Sequence, residues 1–139
     1  IHNIYLNINL FQYIMTTIEN LTVENFNDLL KNNKTYLIIK LGSDWCSPCK
    51  TIEPLVNLCF NDLSEKYKIQ CIQVDVDESL DLFAFLKKKR VIKGIPAILL
   101  YKKGNIGPMP DDSVLDGNEN NVSDFFTRAL TLIKNTINN

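Results

Sequence analysis

This 139-residue chain has a single histidine, His2. That scarcity removes the histidine pair that a zinc site without a second C-x-x-C would usually need. Long apolar runs are also missing, and no stretch approaches the roughly 20 residues a membrane-spanning helix needs. Nor is there an excess of one charge. Fifteen Lys and Arg face 16 Asp and Glu, for a net charge of −1, so no basic field points to nucleic acid or to an anionic membrane. The densest basic run, Lys87-Lys88-Lys89-Arg90, is short and follows Asp75, Asp77, Glu78 and Asp81. A solvated helix end accounts for it better than a binding patch. No internal repeat or low-complexity segment is present.

The first 14 residues, IHNIYLNINLFQYI, are apolar but broken by Asn3, Asn7, Asn9 and Gln12. They contain no Lys, no Arg and no small-residue cleavage site, so they do not read as a targeting peptide. Met15 opens MTTIENLTVENF, which reads as a natural start. Residues 1–14 are therefore expected to be an extension outside the core, and residues 15–139 one domain, as the length allows. With no secretory signal in view, the expected compartment is the reducing cytosol. Abundant Asn, Ile and Lys suggest an AT-rich genome. A large DNA virus as source would add the virion as a location.

The hydrophobic pattern predicts alternating strands and helices. Thr16–Glu19 is a short strand candidate. Thr22 suits a helix N-cap ahead of Val23, Phe26, Leu29 and Leu30, and Asn32-Asn33 ends that helix. Thr35–Leu41 is almost wholly apolar, as in a strand covered on both faces. Gly42-Ser43-Asp44 interrupts it. From Cys49 to about Lys66, the residues Ile52, Leu55, Val56, Cys59, Phe60 and Leu63 form one helical stripe, with a kink expected at Pro54. Ile69–Val76 is a strand, Leu80–Lys88 a helix and Ala97–Tyr101 another strand. Ser113–Asp116 can return as a last strand, and Val122–Ile137 is an amphipathic helix. The loop 105–112, with Gly107, Pro108 and Pro110, is expected to be exposed. This order predicts an α/β fold: a mixed sheet with helices on both faces.

Four cysteines are present, Cys46, Cys49, Cys59 and Cys71. Their irregular gaps and the lone histidine argue against structural zinc. Cys46 and Cys49 form a C-x-x-C where a strand feeds a helix, a placement that suggests redox chemistry. Two cysteines so spaced can close a small disulfide ring. The unpaired amides and positive dipole end of a helix N-terminus stabilise a thiolate relative to a free cysteine of pKa ~8.5. Cys46, at the exposed head of the helix, is expected to be the nucleophile and Cys49, inside the first turn, the resolving thiol. Pro48 fits a first turn, where its missing N–H is not needed. The opposing view, two structural cysteines, is disfavoured by Trp45 before them and Pro48 between them. Cys59 on its helical stripe and Cys71 in its strand read as small buried hydrophobes.

Several separated motifs resemble the thioredoxin family in the right order. Trp45-Cys46-Ser47-Pro48-Cys49-Lys50 is similar to its W-C-G-P-C-K run, with Ser47 in place of Gly. Pro54 matches the proline of the active-site helix, and Val74-Asp75-Val76-Asp77-Glu78 resembles the end of its central strand. Lys93-Gly94-Ile95-Pro96-Ala97 resembles its G-I-P-T segment, and Gly117 its glycine after the last strand. The resemblance spans about residues 16–137. It implies a thioredoxin fold, with a central mixed sheet of about five strands flanked by four helices. It implies a protein thiol–disulfide oxidoreductase acting mainly as a reductant through a redox-active Cys46–Cys49 disulfide. It also implies a cis peptide before Pro96 and a substrate groove formed by Trp45, Ser47, Pro48, Gly94, Ile95 and Pro96, with Gly117 beside it. No cofactor or metal is implied. The implied partners are protein disulfides and a reductant such as a thioredoxin reductase or a glutathione system, with the chain a monomer.

One position departs from the family. A buried Asp usually lies six residues before the first cysteine and assists the resolving thiol, often with a Lys on the neighbouring strand. Here Lys40 and Gln73 stand at those places. Lys40 either snorkels to water or modulates Cys49 by its charge or by accepting a proton. Two rival functions stay open. A disulfide isomerase or oxidase usually has His between the cysteines, where this chain has Ser47-Pro48. A thioredoxin-like binding module without turnover is disfavoured by the intact cysteine pair.

Overall fold

The computed structural model describes residues 16–18 and 20–138. The expected extension, residues 1–14, lies outside the described residues, as do Met15 and Glu19. In chain order the elements are β1 (Thr16–Ile18), α1 (Val23–Lys31), β2 (Tyr36–Gly42), α2 (Ser47–Tyr67), β3 (Gln70–Asp75), a 3-10 turn (Val76–Glu78), α3 (Leu80–Lys88), β4 (Ala97–Lys102), β5 (Asp112–Val114) and α4 (Glu119–Asn138). The five strands form one sheet in the order β1-β3-β2-β4-β5. β1, β3 and β2 run parallel, while β4 and β5 are antiparallel to their neighbours.

Alternation along β2 builds two cores. Leu37, Ile39 and Leu41 face one side, with Phe26, Leu29 and Leu30 of α1 and Leu82 and Leu86 of α3. Tyr36 and Ile38 face the other, with Ile52, Val56, Phe60 and Leu63 of α2 and Val122, Phe125, Phe126 and Ala129 of α4. Every residue of β2 is buried, as a central strand covered on both faces requires. The same alternation assigns Lys40 to the α2 side.

Local signals set the helix ends. The Thr22 hydroxyl accepts the Asn25 N–H at 3.0 Å and caps α1. α4 begins three residues before the apolar stripe does, because Asn118 Oδ1 accepts the Asn121 N–H at 3.1 Å. α2 runs unbroken through Pro54, which leaves the carbonyl one turn earlier without an N–H partner.

Strand register then positions the chemistry. Gly42 at the end of β2 pairs with Asp75 at the end of β3, and Leu41 pairs with Ala97 at the start of β4. Three loops therefore meet at one edge of the sheet: 43–46 after β2, 76–79 after β3 and 93–96 before β4. The carboxyl ends of parallel strands are the usual place for function in such folds.

Candidate active site

The first turn of α2 is built around its own cysteines. Cys46 is the N-cap, in extended backbone geometry, and its Sγ accepts the Cys49 N–H at 3.2 Å. A cysteine sulfur here does the work usually done by a Ser, Thr or Asp oxygen. Cys46 and Cys49 are joined in a disulfide, with Cα atoms 5.2 Å apart. Pro48 occupies the start of the helix, where no N–H is wanted.

Exposure differs from the sequence expectation. Cys46 was expected at an exposed helix head, yet only 5% of it is accessible, against 3% for Cys49. The cause is the cap itself: the side chain folds back over the first turn to reach both the Cys49 amide and the Cys49 sulfur. Exposure therefore does not separate the two thiols, whereas position on the helix does.

Trp45, by contrast, is 69% exposed. Its indole N–H donates to both Asp77 carboxylate oxygens, at 2.8 and 3.1 Å. The Asp77 amide in turn donates to Asp75 Oδ1 at 2.9 Å. Asp77 thus fixes the tryptophan rim of the site, a role the sequence did not disclose. The two residues are 32 positions apart and meet because β2 and β3 end at the same level.

The Ile95–Pro96 peptide is cis. Pro96 is buried at the mouth of β4, with Gly94 and Ile95 half-buried before it; a proline, which cannot donate to the ladder, is tolerated at this place. Gly94 is unpacked, since a Cβ built there would meet nothing within 4 Å. Gly117 is the opposite case. A Cβ there would lie 2.7 Å from Pro48 Cβ and 3.2 Å from the Pro48 carbonyl oxygen, so the chain after β5 packs directly on the active-site turn. Ser47 and Pro48 are exposed beside it.

A redox-active C-x-x-C at a strand–helix junction, beside a cis-proline loop, is now in place on a five-stranded mixed sheet. The family model for thioredoxin matches residues 17–126. The chain belongs to the thioredoxin family. Thioredoxin C-2 of Corynebacterium nephridii is 34% identical to it over 90 residues, which cover 65% of this chain and 78% of that protein. The thioredoxin of Plasmodium falciparum superposes with a TM-score of 0.59 at 26% identity, over 80% of this chain and 98% of that one. The thioredoxin of Malassezia sympodialis shares the fold, with a TM-score of 0.61 at 20% identity, over 86% of this chain and 94% of that one. This thioredoxin-family chain is a protein thiol–disulfide oxidoreductase.

The structure also shows what surrounds the departing residue. Lys40 is 5% exposed, between Gln73 on β3 and Ile98 on β4. It lines a cavity of about 280 Å³ behind the disulfide, together with Cys49, Glu53, Asp44, Lys50 and Asp75. Gln73 donates to Asn57 Oδ1 at 2.7 Å. Burial pulls the Lys40 ammonium below its ordinary pKa, and Glu53 pulls it partly back. Glu53 is a second participant the sequence did not disclose.

The other thiols are inert by the same physics. Burial pushes the Cys71 pKa up to about 12. Burial, then the Asp62 charge, raises that of Cys59. Neither offers a thiolate near neutral pH. Among the described residues, no group of three His, Cys, Asp or Glu side chains is arranged to hold a metal ion, and no helix is long and apolar enough to cross a membrane.

Proposed function

We propose that this thioredoxin-family chain reduces partner disulfides, with Cys46 as nucleophile and Cys49 as resolving thiol. The observation that carries the assignment is the capped first turn of α2. Cys46 Sγ accepts the Cys49 amide N–H, so a Cys46 thiolate forms where a backbone donor and the positive helix end stabilise it. Cys46 attacks one sulfur of the partner disulfide. The partner S–S bond breaks, and the other partner sulfur leaves as a thiolate that takes a proton from solvent. Cys49 then loses its proton and attacks Cys46 Sγ. The mixed disulfide breaks, the second partner thiolate leaves, and Cys46–Cys49 is oxidised. Two electrons pass from the pair to the partner. A reductant such as a thioredoxin reductase, or two thiols of a glutathione system, returns them.

In this reading Trp45, Ser47, Pro48, Gly94, Ile95 and Pro96 line the substrate groove, with Gly117 supporting it through Pro48. Residues 15–139 form the working domain. A reducing compartment such as the cytosol fits, because Cys59 and Cys71 are free thiols. Insulin disulfide reduction with dithiothreitol as electron donor tests the reading. Cys46→Ser abolishes turnover, and Cys49→Ser accumulates mixed disulfides. Full insulin reduction by Cys46→Ser would refute the nucleophile assignment.

A further inference from the structure

The cavity behind the disulfide places a lysine where the resolving thiol must ionise. A Cβ built on Gly42 would lie 3.4 Å from Cys49 Sγ and 3.8 Å from Lys40 Cε. The sulfur and the end of the lysine chain therefore flank one spot, kept open because residue 42 is a glycine. Charged groups reach the cavity from each element packed around it: Glu53 and Lys50 from α2, Asp44 from the loop after β2 and Asp75 from β3. Among the described residues, no hydrogen bond or ion pair engages the Lys40 ammonium, and its electrostatic partner is Glu53. A cation so buried has lost hydration without gaining a direct partner. The water that the cavity admits screens its field only in part, and it acts on whatever ionises beside it.

We propose that Lys40 is a positioning residue for charge: its ammonium stabilises the Cys49 thiolate across the Gly42 gap, and so sets the resolving rate and the reduction potential of the Cys46–Cys49 pair. The inference rests on Cys49 being the resolving thiol. In the mixed disulfide, the Cys49 proton leaves through the cavity to solvent and the electron pair left on sulfur faces Lys40. That pair attacks Cys46 Sγ, and the bond from Cys46 to the partner sulfur breaks. Lys40 keeps its proton throughout. Because the cation favours the reduced, ionised pair over the disulfide, it draws the couple in the oxidising direction.

Lys40→Met tests this, since Met preserves length and apolar packing. Cys49 is titrated in a Cys46→Ser background, potentials are measured against glutathione across pH, and decay of a preformed mixed disulfide gives the resolving rate. In Lys40→Met, the Cys49 pKa rises by about one unit, a tenfold loss of thiolate. The resolving step slows only about threefold, because a more basic thiolate is a better nucleophile. The exchange equilibrium shifts about tenfold toward the disulfide, about 30 mV more reducing, once pH is high enough to ionise Cys49. Lys40→Arg, which keeps the charge and cannot serve as a base, stays near the parent. Glu53→Gln removes the anion facing the ammonium and moves Cys49 the opposite way from Lys40→Met. An unchanged Cys49 titration in Lys40→Met overturns the inference. So does a folded Lys40→Arg that matches Lys40→Met, or a Glu53→Gln shift of the same sign. Parent protein that fails to reduce insulin would sink the functional reading instead, while leaving the Cys49 titration as an independent test of Lys40.

Discussion

Replacing Gly117 with alanine puts a methyl group against the active-site turn. The new Cβ would sit 2.7 Å from Pro48 Cβ, 3.2 Å from its carbonyl oxygen and 3.3 Å from its Cα. Carbon–carbon contacts settle at about 3.5–4.0 Å, so the overlap approaches an ångström. None of the opposing atoms is the tip of a flexible side chain; they belong to a pyrrolidine ring and its backbone. Relief must come from moving either the chain between β5 and α4 or the first turn of α2. Overpacking of this kind costs about 1–3 kcal/mol. Guanidinium denaturation of the oxidised protein reads the cost as a lower midpoint with an unchanged slope, and insulin turnover reads the displaced turn. Gly94→Ala is the control, because nothing lies within 4 Å of its Cβ position. Both substitutions restrict the unfolded chain alike, so their difference isolates the clash. Stability in Gly117→Ala equal to that in Gly94→Ala would falsify the packing argument.

Three further outcomes are expected. Lys40→Met is more stable than the parent at neutral pH: burial lowers the lysine pKa, so the folded state carries a penalty below that pKa, and the advantage fades as pH rises toward the unfolded value of about 10.4. A constant advantage through that range would show that charge is not its source. Asp112 is raised by burial but held lower overall by its hydrogen bonds with Arg128, at 2.8 and 3.1 Å, and with the Ser113 amide. Its contribution is present above the unfolded carboxylate value of about 3.9 and lost as pH falls through the lower folded one. Arg128→Met therefore costs at most about 1 kcal/mol near pH 7, since the pair is half-exposed, and that difference should vanish in acid-titrated denaturation curves. Asp77→Asn weakens the carboxylate grip on the Trp45 indole, and the change appears in tryptophan emission with little loss of global stability; an unaltered spectrum would discount the contact.

Much of the fold was legible because periodicity and topology agreed. The helix Leu80–Lys88 was predicted with the bounds it has, since an apolar stripe fills it. The final helix was predicted from Val122 but starts at Glu119, because its first turn is polar and leaves no apolar trace. The last strand is Asp112–Val114 rather than Ser113–Asp116. Its ladder with β4 ends where Ile98 meets Val114, a register that periodicity does not encode. The cysteine pair and the proline at 96 could be read from local motifs. Asp77, Glu53 and the Gly42 gap could not, because each matters only through a neighbour brought in by strand register or by the packing of α2 on β2. Gly117 lies between these cases: the motif suggested it, but its contact with Pro48 is what explains a glycine there.

The cap on α2 has one more consequence. Its acceptor is the very atom that changes bonding during turnover. In the disulfide, the Cys49 amide faces a weakly basic sulfur. In the reduced protein it faces a thiolate, and charged acceptors bind donors more strongly. The Cys49 backbone proton is thus a built-in redox reporter, its chemical shift and its exchange with deuterated solvent following the oxidation state without any added label.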